Sequence, residues 1–235
     1  MKRSSGALRF GLTLRALDKA LAARKTPMAI IGGIAMNANG IARFTADIDA
    51  TIPGADLDLA ALVKTLKAHG LVPRMPNAVR FARENQVLLL EHRATGLEID
   101  LSLAWISFEL EAIERAKSVL FADTRIRAAR PEDLVIYKLI ANRPRDLTDV
   151  ESLLLLHGKR MDLQRVRRVL GHLAEHLDGK DRRAVLDELL DHMPSAAPKR
   201  RAIRQVDDAR EMRTRKKSGT KISKRSGTKF GTKKR

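Results

Sequence analysis

The spacing of hydrophobic and polar residues along the chain predicts a mixed first half and a helical second half. Apolar side chains recur at helical spacing from Phe10 to Leu21, which predicts an amphipathic helix over residues 8–25. Alternating apolar and polar residues predict strands over 46–52 and within 78–103. The other predicted elements are strands over 28–31 and near 118–121 or 125–128, and helices over 34–39, from Asp56 to His69, and over 107–116, 131–142, 145–157, 162–177 and 181–192.

This order of elements predicts an α+β fold, in which a small mixed β-sheet flanked by helices is followed by a helical C-terminal half. We divide the chain into an α+β core over residues 1–130, a helical region over 131–195 and a basic tail over 196–235. The tail has almost no apolar residues, so it cannot offset its own ordering entropy and is expected to be disordered.

Charge is concentrated at the C-terminal end of the chain. The net charge is +18, and residues 199–235 carry 16 Lys and Arg against three Asp and Glu, whereas the rest carries 30 against 25. Such a tail would bind a polyanion through its phosphates. A solubilising appendage without a dedicated partner is the alternative.

Composition excludes several other classes of protein. The chain has no cysteine, which rules out disulfides and thiolate zinc sites. No apolar stretch is long enough for a membrane span, and no export signal is visible, so a cytoplasmic location is expected.

Three carboxylates on two predicted strands are the main candidate for chemistry. Asp47 and Asp49 share the polar face of one strand, and Asp100 lies on the polar face of a later strand, with Glu98 in reserve. Carboxylates that lie together repel each other, and a hard divalent cation such as Mg²⁺ removes the conflict. We therefore interpret Asp47, Asp49 and Asp100 as catalytic residues that ligate metal, and two ions can share such a set.

A pair of glycines precedes the first of these strands. Gly32 and Gly33 follow a short apolar run and come before a predicted short helix. Glycine lets backbone amides approach a phosphate closely. Taken alone, the pair is also typical of a tight turn, and Asp-x-Asp is typical of a solvent-facing strand. The combination favours phosphoryl transfer.

Two stretches resemble a known family. Gly-Gly, a short helix and the segment RFTADID, ending at Asp49, resemble the nucleotidyltransferase superfamily that includes DNA polymerase beta. They look closer to the AbiEii/AbiGii-type nucleotidyltransferases, many of which are toxins of type IV toxin–antitoxin pairs. The resemblance covers roughly residues 25–157, and its second stretch, residues 131–154, matches at Glu132, Asp133, Lys138, Arg143, Asp146 and Asp149.

The resemblance implies roles for further residues. Gly32 and Gly33 would hold phosphate, and Lys138 would contact the nucleotide or its phosphates. Asp146 would belong to the second motif of the toxin-like branch. The nucleotide-binding set implied in this way is Gly32, Gly33, Arg43, Thr45, Lys138 and Asp146.

Purely structural roles would also account for several of these residues, and the chain departs from the family in places. Arg43 and Thr45 could merely orient the strand, and Arg143, Asp146 and Asp149 could form an ion-pair set at a helix start. Gly33 stands where many members have serine, and Arg145 stands where lysine is common.

The sequence thus predicts a Mg²⁺-dependent nucleotidyltransferase that moves a nucleoside monophosphate from a nucleoside triphosphate to a hydroxyl group. RNA is the expected acceptor, at the 3′ end of tRNA, and an antitoxin protein is an implied partner. One alternative is an antibiotic-type enzyme with a small-molecule acceptor. Another is an inactive nucleotidyltransferase-like module that binds RNA or serves as an antitoxin.

Overall fold

The computed structural model describes residues 5–174 and 181–193, which form nine α-helices and seven strands. The strands are β1 (Ala29–Ile30), β2 (Ile48–Pro53), β3 (Leu71–Pro73), β4 (Val87–His92), β5 (Leu97–Ala104), β6 (Lys117–Phe121) and β7 (Thr124–Ala128). The helices are α1 (Ser5–Ala22), α2 (Gly32–Ala38), α3 (Leu59–Ala68), α4 (Ala78–Asn85), α5 (Ser107–Arg115), α6 (Pro131–Ala141), α7 (Pro144–His157), α8 (Leu163–Leu173) and α9 (Arg182–Asp191).

All seven strands belong to one mixed sheet in the order β3-β4-β5-β2-β1-β7-β6. The pairs β2–β5 and β1–β7 are parallel, and the other neighbours are antiparallel. The predicted α+β class is therefore confirmed. Because β2 lies at the centre, its polar face is positioned by neighbours on both sides.

One hydrophobic core joins the sheet to the helices around it. It includes Leu14 and Leu17 of α1, Ile48 and Ile52 of β2, and Leu134 of α6, all fully buried. The alternation predicted for β2 and β5 is visible in this core, since the apolar residues point inward. Among the described helices, none is both long and apolar enough to cross a bilayer.

Two predictions for the first half were wrong. Residues 78–85, expected in a strand, form α4, where Ala78 and Ala82 are buried one helical turn apart. Asp58, not Asp56, is the N-cap of α3, and its carboxylate accepts a hydrogen bond from the Ala61 amide. Both errors concern short segments in which tertiary packing decides between local alternatives.

Apart from β3 (Leu71–Pro73), which the sequence did not predict, the other elements lie close to where they were expected. Both alternatives near residue 120 are strands, and together they form the hairpin β6–β7. The helical half begins at Pro131 as predicted, and Pro144 is the first residue of α7. The basic tail over 196–235 lies outside the described residues.

Candidate active site

Three acidic side chains, one on β2, one just before it and one on β5, line one cavity of about 520 Å³. Asp49 is the second residue of β2 and lies directly opposite Asp100 in the parallel register with β5. Asp47 comes two residues earlier, and all three aspartates line the cavity. The structure therefore brings together the three carboxylates that the sequence predicted.

The glycine pair lies against these carboxylates. Gly32 begins α2 with a φ of +59°, and a Cβ atom there would lie 1.8 Å from Oδ2 of Asp49. A Cβ at Gly33 would lie 2.6 Å from both Cβ and Oγ1 of Thr45. Neither position has room for a side chain, so both glycines are required by contacts within the site.

Backbone and hydroxyl donors orient the first two aspartates. The Gly33 amide donates to the carboxylate of Asp49, and the Ile31 amide donates to the Asp49 carbonyl oxygen at 2.9 Å. The Thr45 hydroxyl donates to Oδ1 of Asp47 at 2.8 Å. Thr45 thus packs against Gly33 and holds Asp47 at the same time.

Mutual repulsion is visible at Asp49. Burial raises the pKa of Asp49, and the charges of Asp47 and Asp100 raise it further. The Gly33 amide and Lys138 act in the opposite direction but do not cancel these effects. A carboxylate in this position favours either a proton or a cation.

Asp100 already has a cationic partner. Burial raises its pKa, while Arg74 lowers it and the charges of Asp47 and Glu98 raise it. Arg74 follows β3 and its guanidinium donates to both Asp100 and Glu98, the latter at 2.5 Å. Glu98, the reserve candidate, is therefore engaged by Arg74 and is not among the residues that line the cavity.

A buried ion network forms the opposite wall of the cavity. Lys138 of α6 is only 7% exposed, and its ammonium lies 2.9 Å from Oδ1 of Asp146 and 2.9 Å from Oδ2 of Asp149. Arg43 approaches the same oxygen of Asp149 at 3.3 Å. Lys138 and Arg43 therefore bring positive charge to the cavity while being held by Asp149.

Asp146 holds the start of α7. It is the third residue of that helix, and its Oδ2 accepts hydrogen bonds from the backbone amide of Arg143 at 3.3 Å and from Arg143 Nε at 2.7 Å. Burial by itself would raise the pKa of Asp146, but hydrogen bonds from Arg143 and Lys138 outweigh it and lower the pKa. The ion-pair set considered for this motif is therefore realised, and Asp146 also lines the cavity.

The chemistry of the carboxylates fits a hard divalent cation. Asp47, Asp49 and Asp100 offer only oxygen donors, which Mg²⁺ prefers, and the raised pKa of Asp49 reflects its burial together with the charges of Asp47 and Asp100. Even so, within residues 5–174 and 181–193 no group of three His, Asp or Glu side chains is already arranged to hold a metal ion. In this structure Asp100 is paired with Arg74.

Every predicted site residue lines this one cavity. The set is Gly32, Gly33, Arg43, Thr45, Asp47, Asp49, Asp100, Lys138 and Asp146. Sequence reasoning missed Phe44, which is 84% exposed on the cavity wall, and Arg74, which reaches Asp100 from the end of β3. The exposure of Phe44 next to a predicted strand carries no sequence signal, and the Arg74 contact depends on how β3, β4 and β5 pair.

Comparison with known proteins shows the family. The family described as "Nucleotidyltransferase of unknown function (DUF6036)" matches residues 13–187. No curated protein matches the sequence significantly.

Several solved structures are similar to this chain at low sequence identity. The antibiotic-resistance factor ANT(2'')-Ia is 20% identical over 77% of this chain and 97% of its own, with a TM-score of 0.47. A nucleotidyltransferase-like antigenic protein from Paracoccidioides brasiliensis is 16% identical over 82% and 96%, with a TM-score of 0.47. The Thermotoga maritima CCA-adding enzyme complexed with tRNA is 14% identical over 75% and 50%, with a TM-score of 0.31. These likenesses carry no argument about substrate.

Proposed function

Because the chain belongs to the DUF6036 family of nucleotidyltransferases, we propose that it transfers a nucleoside monophosphate from a nucleoside triphosphate to a hydroxyl group of RNA, at the 3′ end of tRNA. The choice of RNA rests on the resemblance to AbiEii-type proteins and on the positive charge of residues 199–235. One observation carries the transfer reaction itself. Asp47, Asp49 and Asp100 line a single cavity together with the glycine bend at Gly32.

Mg²⁺ is the proposed cofactor. Asp47, Asp49 and Asp100 are the residues that would hold it, with two ions expected. When bound, the metal neutralises charge on the triphosphate and on the departing pyrophosphate. The need for a cation is supported by the burial of Asp49 beside two other carboxylates.

The transfer requires one bond to form and one to break. The hydroxyl oxygen of the acceptor forms a bond to the α-phosphorus, and the bond from that phosphorus to the oxygen bridging to the β-phosphorus breaks. Pyrophosphate leaves with the bonding electron pair. The hydroxyl proton passes to the carboxylate of Asp100, the third aspartate that lines the cavity.

The surrounding residues bind and orient. Gly32 and Gly33 let the backbone of the bend approach a phosphate group. Lys138 and Arg43 supply positive charge on the opposite wall. Asp146 holds Lys138 in place through the 2.9 Å ion pair.

The direct test is labelling of RNA. Purified protein is incubated with Mg²⁺, total RNA and each radioactive nucleoside triphosphate in turn. Asp49→Asn should lower the labelling rate by about 10²- to 10³-fold, because it removes ligand charge without removing core volume. Asp18→Asn, an exposed change on α1, is the matched control and should label at the parental rate. Equal rates for Asp49→Asn and the parent would refute the site.

The same assay separates the alternatives. Release of pyrophosphate without labelled RNA, and only when a small hydroxyl-bearing antibiotic is added, would identify a small-molecule enzyme. A biological function that survives in an Asp47→Ala, Asp49→Ala double variant would identify an inactive binding module. The proposed enzyme should instead label RNA, and substituting either Asp47 or Asp49 should abolish the labelling.

The resemblance to AbiEii-type proteins motivates a further proposal, that the protein acts as a type IV toxin opposed by an antitoxin protein. Induced expression of the chain should then arrest growth of a bacterial host, and Asp49→Asn should restore it. Normal growth with an active, well-expressed parent would contradict the toxin role and leave the enzyme proposal standing.

A further inference from the structure

A second and larger cavity lies beside the candidate active site. Its volume is about 1090 Å³, and it is formed by α3, β3, α4 and the end of β4. We call it the basic groove, and we define it by the four cations on its walls: Lys67, Arg80, Arg83 and Arg93.

Most of this positive charge is uncompensated. Arg80 pairs with Glu84 at 2.8 Å. Lys67, Arg83 and Arg93 are exposed, and among the described residues no acidic side chain forms an ion pair with them. Three unpaired cations around one concavity raise the local concentration of anions.

The rest of the lining suits a chain molecule better than a small ion. Val72, Pro73 and Met75 form an apolar wall beside the cations. A positively charged groove is what proteins use to track the backbone of a single strand of nucleic acid. A cationic acceptor would be repelled by the same groove.

Arg74 connects the groove to the acidic cluster. Its chain neighbours Pro73 and Met75 line the groove, whereas its own guanidinium contacts Asp100. Arg74 therefore links the lining of the groove, through the chain, to the proposed reaction centre.

We propose that the basic groove binds the phosphodiester backbone of a single-stranded RNA whose terminal hydroxyl enters the acidic cavity. The inference rests on the proposed function, because that function supplies the reason for an RNA end at Asp100. The contacts are made to phosphates, so they position the strand without reading its sequence.

The test compares two triple variants of the full chain. Lys67→Ala, Arg83→Ala, Arg93→Ala removes the unpaired cations of the groove. Lys19→Ala, Lys117→Ala, Lys159→Ala removes three other exposed cations, none of which lines the groove, so the net charge is matched. Equal melting temperatures confirm that both variants are folded.

Binding is measured with a fluorescent single-stranded RNA of mixed sequence, about 20 nucleotides long, at several salt concentrations and without nucleotide. Each lost phosphate contact lowers the slope of log K against log salt by about 0.7. The groove variant should therefore lose about 2 from that slope and bind at least about 10-fold more weakly at low salt, while the control variant keeps most of its slope. Identical slopes and affinities for the two variants would overturn the proposal.

Two further probes identify what occupies the groove. The affinity for single-stranded DNA should depend on the groove cations in the same way, because RNA and DNA both offer backbone phosphates. The affinity for inorganic tripolyphosphate should not depend on the groove cations. A loss confined to tripolyphosphate would overturn the proposal, since the groove would then bind free phosphates.

The labelling assay separates this inference from the proposed function. If the parent binds RNA through the groove but labels nothing with any nucleotide, the proposed function fails and the groove stands. If labelling proceeds and the groove variant keeps the KM for RNA of the control variant, the groove assignment fails and the function stands.

Discussion

At the scale of single residues, the site is built around the close approach of Gly33 to Thr45. Gly33 stands where many members of the nucleotidyltransferase superfamily have serine, and Thr45 occupies the space that such a side chain would need. Because Thr45 also donates to Asp47, the glycine and the hydroxyl donor form one unit. The departure from Gly-Ser therefore has a steric reason.

Gly33→Ala should destabilise the fold. The new Cβ would lie 2.6 Å from Thr45, and relieving such overpacking costs about 1–3 kcal/mol. Chemical denaturation measures the loss, and a Gly33→Ala, Thr45→Gly double variant should lose less than the sum of the two single changes. Gly6→Ala is the control, because nothing lies within 4 Å of a Cβ there. Additive losses would show that the two residues do not compete for space.

Asp49→Asn should stabilise the metal-free protein at neutral pH. The folded pKa of Asp49 is raised by burial and by its neighbours, so its stability contribution is present below the unfolded value of about 3.8 and lost as pH rises through the folded pKa. The asparagine side chain cannot ionise, so the variant avoids this loss of stability. Its Tm should be higher by about 2–4 °C, the shift that ~1 kcal/mol produces in a protein of this size. Thermal unfolding in chelator should show the gain at pH 7 and its disappearance below about pH 4. A gain independent of pH would contradict the electrostatic cause.

At the scale of elements, two junctions bring the functional groups together. The parallel register of β2 with β5 sets Asp49 opposite Asp100. The turn between α6 and α7 is stabilised by Asp146, whose carboxylate forms ion pairs with both Arg143 and Lys138. The first junction collects negative charge and the second holds positive charge against it.

Asp146→Asn tests the second junction. It leaves the buried Lys138 paired with Asp149 alone, so the free energy of unfolding should fall by less than the ~3–5 kcal/mol that removing the last partner of a buried charge costs. The folded pKa of Asp146 is lowered, so its contribution is present above the unfolded value and is lost as pH falls through the folded pKa. The stabilities of the parent and the variant should therefore differ at pH 7 and converge in acid below about pH 4. Glu151→Gln, exposed on the same helix, is the control and should show no such convergence.

At the scale of the whole molecule, the cavity draws on both halves of the chain. Asp47 and Asp100 come from the predicted core, whereas Lys138 and Asp146 come from the predicted helical region. The described residues up to 193 form one compact unit, and the family match spans residues 13–187. The division into separate regions at residue 130 stays a prediction.

Mg²⁺ should stabilise the full chain if the carboxylates hold it. A ligand at 100 times its Kd adds about 2.7 kcal/mol to the free energy of unfolding, which raises Tm by several degrees. Thermal unfolding with MgCl₂, compared with NaCl at equal ionic strength, measures this shift. Asp49→Asn should abolish the shift and Asp18→Asn should keep it. An equal shift in both variants would place any bound Mg²⁺ elsewhere.

Much of the site could be predicted because its signals are local. The alternation around Asp49, the paired glycines and the Asp146 motif are all readable over a few residues, and each predicted residue lines the cavity. Arg74 could not be found in this way, because its contact with Asp100 depends on three strands pairing in order. The helix over 78–85 was missed because a segment of eight residues fits more than one periodicity.

The sequence by itself determined which side chains share a face of each strand and helix, since backbone geometry sets those periods within a few residues. It also determined the excess of positive charge and the absence of cysteine. Only the tertiary structure decided that Asp49 meets Asp100, 51 positions later in the chain, and that Lys138 closes the same cavity. These contacts form only when distant strands pair. The free energy of that pairing comes from burying the whole core, so it is not encoded in any short stretch.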